Sequence, residues 1–412
     1  MSRDSHIPFA MPDIGEEEIQ AVVEAMRSGW LTTGPAAAAF EREFADYLGG
    51  GVTAIAVNSA TAGLHLALDA CGIGPGDEVI VPDWTFTATA EVVRYLGADP
   101  VIVDVDPATL CLDYAAAEKA VTARTKAVMP VHLAGLAVDR LATAEFARRH
   151  RLAVVEDAAH SLPTYSRGRL VGDLGDVGDV GDDLGDVGDV GDDLGDGGAR
   201  RPHAVVFSFY ATKTMTTGEG GMVVVADEAM AQRIRTMRLH GISRDVFDRY
   251  RSTAPSWFYE VVEAGYKYNL TDPAAAMGRV QLRRQPRMFA TRQALARRYR
   301  AAFADLPVDL PDEPTVPDST HAWHLFILRL RPEAPVSRDE FIAAMAQAGV
   351  GCSVHFIPLH RQPYWRDRYG LTPEQFPVAE REFGRVVSLP IFSSMTDEQA
   401  DRVVAAVRGV LG

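Results

Sequence analysis

The chain of 412 residues lacks the features of several protein classes. No stretch approaches the ~18 uninterrupted apolar residues that a membrane-spanning helix needs. The first residues, MSRDSHIPFAMPDIGEEE, contain no apolar core and soon become acidic, so we expect no secretory signal. Cys71, Cys111 and Cys352 lie far apart without metal-ligand spacing, so we expect no metal site and a reducing, cytoplasmic location.

An excess of basic residues is also missing. The formal net charge is −15, and ten of the aspartates lie in residues 173–196, which contain no lysine or arginine. Without those ten negative charges the rest of the chain carries −5. A mildly acidic body gives no electrostatic reason to bind nucleic acid or an anionic membrane, so we expect neither partner.

Residues 173–196 form an internal repeat. The sequence DLGDVGDVGD occurs at 173–182 and again at 183–192. Glycine and aspartate at this density cannot build a core, so the expected structure is a solvated, disordered loop. A calcium-binding β-roll is the alternative, but its repeats are nonapeptides with a doubled glycine, whereas this repeat has a period of ten.

Runs of valine and isoleucine alternate with helix-period segments through the first half of the chain. The strand-like runs lie at 52–59, 77–82, 100–105, 126–133, 152–157, 204–210 and 221–226. Continuous apolar runs are typical of strands buried on both faces, so we predict an α/β fold with a mostly parallel central sheet flanked by helices. We assign residues 1–285 to this large domain.

A smaller C-terminal α+β domain is predicted for residues 286–412. A long helical connection over about 271–303 leads into it, because this segment is rich in alanine, arginine and leucine. Strand-like patterns follow at 324–330 and 352–357, a helix at 339–349, and a last helix from Asp397.

Three polar motifs follow predicted strands, at the edge where α/β sheets bind ligands. The first is NSATAG at 58–63, which opens a helix. Small residues and free N–H groups at a helix N-terminus suit a phosphate, although plain N-capping by Asn58 or Ser59 explains the same residues.

The second and third motifs supply a carboxylate and an amine. Asp157 ends a buried strand, where a carboxylate needs a cationic partner such as a protonated pyridine nitrogen, or else caps the following turn. Lys213 follows Ser208 and precedes the glycine-rich turn 217–221. A lysine just past a buried strand can be desolvated and become a nucleophile, whereas an exposed lysine is only a surface charge.

In this order and spacing, the motifs resemble the DegT/DnrJ/EryC1/StrS family of pyridoxal-phosphate (PLP) dependent nucleotide-sugar aminotransferases, of fold type I. The resemblance runs nearly from end to end. It includes GWLTTGP at 29–35, GPGDEVIVP at 74–82, GYKYNLTD at 265–272 and SVHFIPLH at 353–360. The GYKYN pattern is similar to the branch that acts on a 4-keto-pentose nucleotide in lipid A modification.

The resemblance implies roles for individual residues. Lys213 matches the lysine that holds PLP as a Schiff base, and Asp157 matches the partner of the pyridine nitrogen. His160 matches a position near the ring hydroxyl of PLP. Phe86 matches the aromatic residue stacked on the ring, with Trp84 as a rival and core packing as the other possibility. Ala60, Thr61 and Ser208 match phosphate-binding positions.

The family is usually homodimeric, which implies further contacts. Asn269 and Lys267 would reach the phosphate bound by the partner subunit. Substrate contacts are expected from Trp30, Thr32, His321 and His355, although core or surface histidines fit the last two positions equally well.

The expected reaction moves an amino group from an amino acid, with L-glutamate as the expected donor, to the keto group of a nucleotide-linked sugar. Such sugars enter polysaccharide, lipopolysaccharide or antibiotic biosynthesis. Sugar dehydratases of the same family replace the lysine with histidine, so Lys213 argues against that activity. A keto-cyclitol aminotransferase and a regulatory protein that binds PLP or a sugar nucleotide without turnover stay open as alternatives.

Overall fold

The computed structural model of the chain describes residues 6–174, 201–242, 259–311 and 313–412. The Gly/Asp repeat predicted to be a disordered loop lies outside these residues from 175 onward.

A seven-stranded sheet forms the centre of the large part of the molecule. Its strands are β1 (Thr53–Val57), β2 (Glu78–Pro82), β3 (Asp99–Val103), β4 (Thr125–Val128), β5 (Ala153–Asp157), β8 (His203–Ser208) and β9 (Gly221–Val225). Across the sheet they lie in the order β1-β9-β8-β5-β4-β2-β3. β9 pairs antiparallel with both neighbours, and the other strand pairs are parallel. The predicted mostly parallel α/β sheet is therefore confirmed. A short antiparallel hairpin, β6 (Tyr165–Ser166) and β7 (Arg169–Leu170), lies outside this sheet.

Helices cover both faces of this sheet. They are α1 (Glu16–Arg27), α2 (Pro35–Tyr47), α3 (Ala60–Ala70), α4 (Ala88–Tyr95), α5 (Tyr114–Ala120), α6 (Arg140–His150), α7 (Glu228–Met237) and α8 (Asp272–Phe303). Alternation along a strand sends neighbouring side chains to opposite faces. Val206 accordingly packs with Leu64 of α3, whereas Val205 lies in the core that contains Phe40 of α2.

The C-terminal part contains a three-stranded antiparallel sheet. The strands are β10 (Val308–Asp309), β11 (Phe326–Leu330) and β12 (Val386–Leu389), and the helices are α9 (Arg338–Gln347), α10 (Pro363–Tyr369), α11 (Pro377–Phe383) and α12 (Asp397–Leu411). Its core joins Phe303 of α8 to Phe326 and Phe341. Ile7 contributes to the same core and pairs with Val350, so residues near the N-terminus pack against this part of the chain.

The structure differs from the sequence-based expectations at two boundaries. The division predicted at residue 285 falls inside α8, which runs through that position as one helix although it contains Pro286. The strand predicted at 352–357 is wrong. Only Ser353 pairs there, with Ser388, because the backbone then turns toward the large part and the His355 carbonyl accepts the indole N–H of Trp84 at 2.9 Å.

Among the described residues, no helix combines the length and the apolarity that crossing a bilayer requires.

Candidate active site

The sheet brings the predicted carboxylate and hydroxyl to one edge. β5 and β8 are parallel neighbours, so Asp157 and Ser208 both lie at their carboxyl ends. Ser208 accepts the Tyr210 N–H at 3.3 Å, which leaves its hydroxyl hydrogen for another acceptor. Lys213 lies five residues farther along, near enough for the Asp157 carboxylate to act on its charge.

Lys213 has the character of a buried amine. Burial lowers its pKa to about 8, against the opposing effect of Asp157. Its Nζ makes no hydrogen bond or ion pair with any residue that the structure describes. An unpartnered amine with a lowered pKa is available for covalent chemistry at neutral pH.

Two hydrogen bonds fix the Asp157 carboxylate, and they do not use all of its acceptor capacity. Its side chain is buried, Oδ2 accepts the hydroxyl of Thr89 at 2.9 Å, and Oδ1 accepts the N–H of Ala159 at 3.1 Å. An ionised carboxylate offers about four lone-pair positions, so acceptor capacity remains. Within the described residues no arginine or lysine forms an ion pair with it, which leaves it free for a cationic ligand.

The start of α3 offers backbone donors at the same edge. Ser59 caps the helix by accepting the Ala62 N–H at 3.1 Å, so the simple capping interpretation of this residue is correct. The N–H groups of Ala60 and Thr61 have no acceptor within the helix, as at any helix N-terminus. A Cβ atom at Gly221 would lie 2.8 Å from Ala60 N, so glycine is required for β9 to pass this close.

The structure separates the two candidate stacking rings. Trp84 is fully buried and its indole N–H is used by His355, so it belongs to the core. Phe86 is 56% exposed and contacts Phe356 at a ring-centroid distance of 5.7 Å. These positions favour Phe86 as the ring that a flat ligand would meet.

His160 lies beside the lysine as a neutral imidazole. Burial and the nearby charge of Lys213 hold its pKa well below the usual range. Nδ1 accepts the Ala134 N–H at 3.2 Å, so the neutral ring carries its hydrogen on Nε2. The side chain can therefore donate one hydrogen bond to a ligand oxygen.

Asn269 and Lys267, the residues predicted to reach the partner subunit, lie next to the N-terminus of α3. The Asn58 N–H donates to the Tyr268 carbonyl at 2.8 Å, which anchors this segment. Asn269 is buried, donates to the Thr33 hydroxyl at 2.7 Å and accepts the Lys267 ammonium at 2.5 Å. Lys267 is exposed. Asn269 is therefore engaged within its own chain, and Lys267, although exposed, is bonded to it through its ammonium.

Comparison with known proteins identifies the family. The profile of the DegT/DnrJ/EryC1/StrS aminotransferase family matches residues 12–180 and 191–408. This chain belongs to that family. It is 43% identical over 411 residues to the spore coat polysaccharide biosynthesis protein SpsC of Bacillus subtilis, which covers 99% of this chain and 98% of SpsC. The uncharacterized protein MJ1066 of Methanocaldococcus jannaschii is 40% identical over 413 residues, with 100% and 99% covered.

Solved structures agree with this assignment. The putative sugar aminotransferase Spr1654 of Streptococcus pneumoniae, in its PMP form, has a TM-score of 0.86 and 32% identity, with 98% of each chain covered. DesV of S. venezuelae, in complex with a ketimine intermediate, has a TM-score of 0.79 and 33% identity, again with 98% of each chain covered. The chain is a PLP-dependent aminotransferase of this family, and its fold is that of the family.

The residues present fit PLP. A buried carboxylate without a cationic partner, an unpartnered amine of lowered pKa and free N–H groups at a helix start match the ring nitrogen, the aldehyde and the phosphate of the cofactor. These three features lie at the same edge of the sheet.

The expected substrate contacts are divided by the structure. His355 lies near Lys213. Burial, together with the charge of Lys213, lowers the pKa of His355 to about 4. The Nδ1 atom of His355 lies 3.1 Å from the Ser388 hydroxyl. His321 is a core histidine, stacked on Trp323 at 4.0 Å, and its Nδ1 accepts the Trp323 N–H at 2.8 Å. These contacts do not favour a substrate role for His321.

Trp30 and Thr32 belong to a turn fastened to α8. The Trp30 indole donates to the Thr33 carbonyl at 3.1 Å, and the Thr32 carbonyl accepts the Asp272 N–H at 3.1 Å. Thr32 is exposed. Their contact with a sugar stays a prediction.

Sequence reasoning missed three residues of functional or structural weight. Thr89 donates its hydroxyl to the Asp157 carboxylate. The only sequence signal for this role is that Thr89 lies three residues after Phe86. Asp272 caps α2 by accepting the N–H groups of Gly34 at 2.7 Å and Ala37 at 3.0 Å, which explains why GWLTTGP and LTDP occur together. His324 lies beside His160, at a ring-centroid distance of 4.4 Å.

Proposed function

We propose that this enzyme transfers an amino group from an amino acid, with L-glutamate as the expected donor, to the keto group of a nucleotide-linked sugar. The observation that carries the proposal is the unpartnered Lys213 amine beside the buried carboxylate of Asp157. This pair has the two groups that PLP-dependent transamination needs, a nucleophilic amine and an anchor for the ring nitrogen.

Each residue has a distinct task in this proposal. Bound PLP supplies an electron-accepting ring, provided that its nitrogen stays protonated. Asp157 holds that nitrogen and keeps the proton on it. Lys213 Nζ takes the proton from the donor Cα and, in the second half-reaction, returns a proton to the sugar carbon that carried the keto oxygen.

Other residues would bind and orient. The N–H groups of Ala60 and Thr61, with the Ser208 hydroxyl, would hold the phosphate. Phe86 offers an exposed ring on which the cofactor would stack, and His160 Nε2–H would donate to the ring hydroxyl. Because both side chains adjoin Phe356, they form one wall of the site.

The sugar part of the proposal is supported by the relatives. SpsC is named for spore coat polysaccharide biosynthesis, and Spr1654 is described as a putative sugar aminotransferase. The nucleotide and the L-glutamate donor go beyond these names. They rest on the resemblance of the chain to nucleotide-sugar aminotransferases, to which the motif at 265–269 contributes the nucleotide.

A homodimer is part of the same proposal. Lys267 is exposed, and Val261 and Val262 near it are 61% and 62% exposed. Apolar side chains exposed in a row are typical of a surface that another protein covers. In this arrangement Lys267 would bring its positive charge to the phosphate held by the partner subunit.

The deciding experiment offers the enzyme L-glutamate together with UDP-, dTDP- and GDP-linked keto sugars and a free keto-cyclitol. Mass spectrometry should detect an amino sugar from at least one nucleotide, and Lys213→Ala should form none. Amination of the keto-cyclitol without any nucleotide-sugar product would replace the proposal by that alternative.

A further inference from the structure

His324 is a buried histidine whose ring nitrogens are not used by the protein. Its side chain is 5% exposed, and Nδ1 is buried without a hydrogen-bond partner. No residue in the described part of the chain forms a hydrogen bond with either ring nitrogen. Buried polar atoms are nearly always satisfied in native proteins, so this ring has a partner that the polypeptide does not supply.

The ring of His324 faces the candidate active site. It packs on the His160 ring at 4.4 Å between centroids, and the next residue fastens the backbone because the Leu325 N–H donates to the Ala134 carbonyl at 3.1 Å. Ala134 also holds His160. Burial is the main cause that keeps the pKa of His324 well below its usual range, and the charges of Lys213 and Arg292 add to it.

Arg292 is, after Lys213, the second buried cation near His324. It is 3% exposed, and its Nη1 donates to the carbonyls of Trp323 at 3.0 Å and Ile391 at 2.9 Å. No carboxylate in the described ranges forms an ion pair with it, and its Nε has no partner. The charge of Asp13 acts on Arg292, but Asp13 forms its ion pair with Arg284. A buried charge without a counter-ion in contact is costly, so this region favours an anion.

We propose that His324 donates a ring N–H to the α-carboxylate of the amino-acid donor, with Arg292 as the positioning residue behind it. This inference rests on the proposed transaminase function. The carboxylate of Asp157, at the same edge, would be engaged by the cofactor nitrogen. The reacting end of a neutral nucleotide-linked keto sugar is uncharged, because the negative charge of the molecule lies on the diphosphate. The anion that reaches His324 therefore comes from the amino acid.

The test separates the two half-reactions. In His324→Leu, the apparent dissociation constant for L-glutamate should rise roughly 10- to 100-fold, the factor that a lost hydrogen bond to a charged group produces. The constant for the keto sugar in the return half-reaction should change little. Titration of the PLP-loaded enzyme with 2-oxoglutarate, which measures binding without turnover, should show the same weakening.

A matched control lies three residues away. His321 is 4% exposed and equally buried, but its Nδ1 already accepts the Trp323 N–H. His321→Leu should lower the melting temperature without changing the ratio of the two half-reaction constants. His324→Gln keeps an N–H donor and should recover part of the affinity for L-glutamate, which also covers the case in which the leucine variant does not fold.

Two outcomes overturn the inference and can be told apart. If the wild-type enzyme reacts with L-glutamate and neither His324 variant weakens that half-reaction selectively, His324 does not bind the donor. If the wild-type enzyme reacts with no amino acid, the proposed function fails and the inference falls with it.

Discussion

Thr89 donates its hydroxyl to Asp157 Oδ2 at 2.9 Å, and both side chains are buried. The Thr85 hydroxyl lies 2.7 Å from Thr89 Oγ1. Because an ionised carboxylate can only accept, Thr89 donates to Asp157 and Thr85 donates to Thr89. This oriented chain joins the segment that carries Phe86 to the end of β5.

Replacing Thr89 tests that relationship. Thr89→Val keeps the shape but removes the hydrogen bond to a charged group, so the rate of the L-glutamate half-reaction should fall roughly 10- to 100-fold while PLP still binds. Thr89→Ser retains the hydroxyl and should restore most of the rate. Single-turnover absorbance measures both, and a valine variant with the wild-type rate would show that the bond is dispensable.

The lowered pKa of Lys213 predicts how the apoenzyme captures PLP. Burial places this pKa at about 8, so the amine is protonated and unreactive at pH 6 and mostly free at pH 9. The rate of covalent PLP capture, trapped with borohydride, should therefore rise through about pH 8. Lys213→Ala should trap none. A midpoint near 10.5, the value for a solvated lysine, would contradict the burial argument.

The sequence was sufficient for the features that depend on local pattern. Continuous valine and isoleucine runs such as AVVFS predict buried strands, and the carboxyl ends of those strands predict where Asp157 and Lys213 meet. The sequence was not sufficient to predict the backbone path where a contact between distant residues determines it. The apolar pattern at 352–357 resembles a strand, but the bond from Trp84 to His355 turns it away from the sheet.

Local sequence is also insufficient to assign roles to the two histidines at 321 and 324. His321 and His324 stand three residues apart in HAWH, with nothing in the sequence to distinguish them. Only the fold shows that one ring nitrogen of His321 is used by Trp323, whereas His324 reaches the neighbourhood of Lys213.

His360 fastens the C-terminal part to the segment after β2, and its stability contribution should depend on pH. Its Nδ1 lies 2.6 Å from Asp83 Oδ2, and its Nε2 lies 3.0 Å from Glu380 Oε2. Burial alone would lower the pKa of His360, but these two carboxylates raise it above its ordinary 6.5. The neighbouring groups also include Arg361, which pairs with Glu380, and the stacked ring of Phe376.

Since the folded-state pKa is raised, the stabilisation is fully present below about pH 6.5 and is lost as pH rises through the folded-state value. The difference in unfolding free energy between wild type and His360→Gln should therefore shrink from pH 6 to pH 9. Urea denaturation at several pH values measures it. A difference that stays constant or grows with pH would mean that the imidazole is not charged in the folded protein.

Asn269 and Lys267 should respond differently to removal. Asn269 is buried and donates to Thr33, so Asn269→Ala leaves a buried hydroxyl without this partner and should cost about 1–3 kcal/mol of stability. Lys267 is exposed and its ammonium donates to Asn269 Oδ1, so Lys267→Ala should lower the melting temperature less than Asn269→Ala does and should bind PLP less tightly. Thermal unfolding of the apoenzymes, with PLP titration, separates the two effects. Equal loss of stability would contradict the assignment of Asn269 to its own chain.

A mixture of two inactive or weakened variants tests whether active sites are shared between subunits. Lys213→Ala has no reactive lysine but keeps Lys267, whereas Lys267→Ala keeps the reactive lysine and lacks the cation offered to the partner. If Lys267 serves the phosphate of the other subunit, a mixed dimer contains one intact site and one doubly defective site. Random exchange at equal concentrations should then restore intact sites to about a quarter of the wild-type number, since half of the dimers are mixed. The variants are unfolded together, refolded and assayed at low PLP, where Lys267→Ala alone is poorly loaded. If Lys267 instead serves its own chain, mixing restores nothing, and an active monomer in sedimentation would also contradict the shared site.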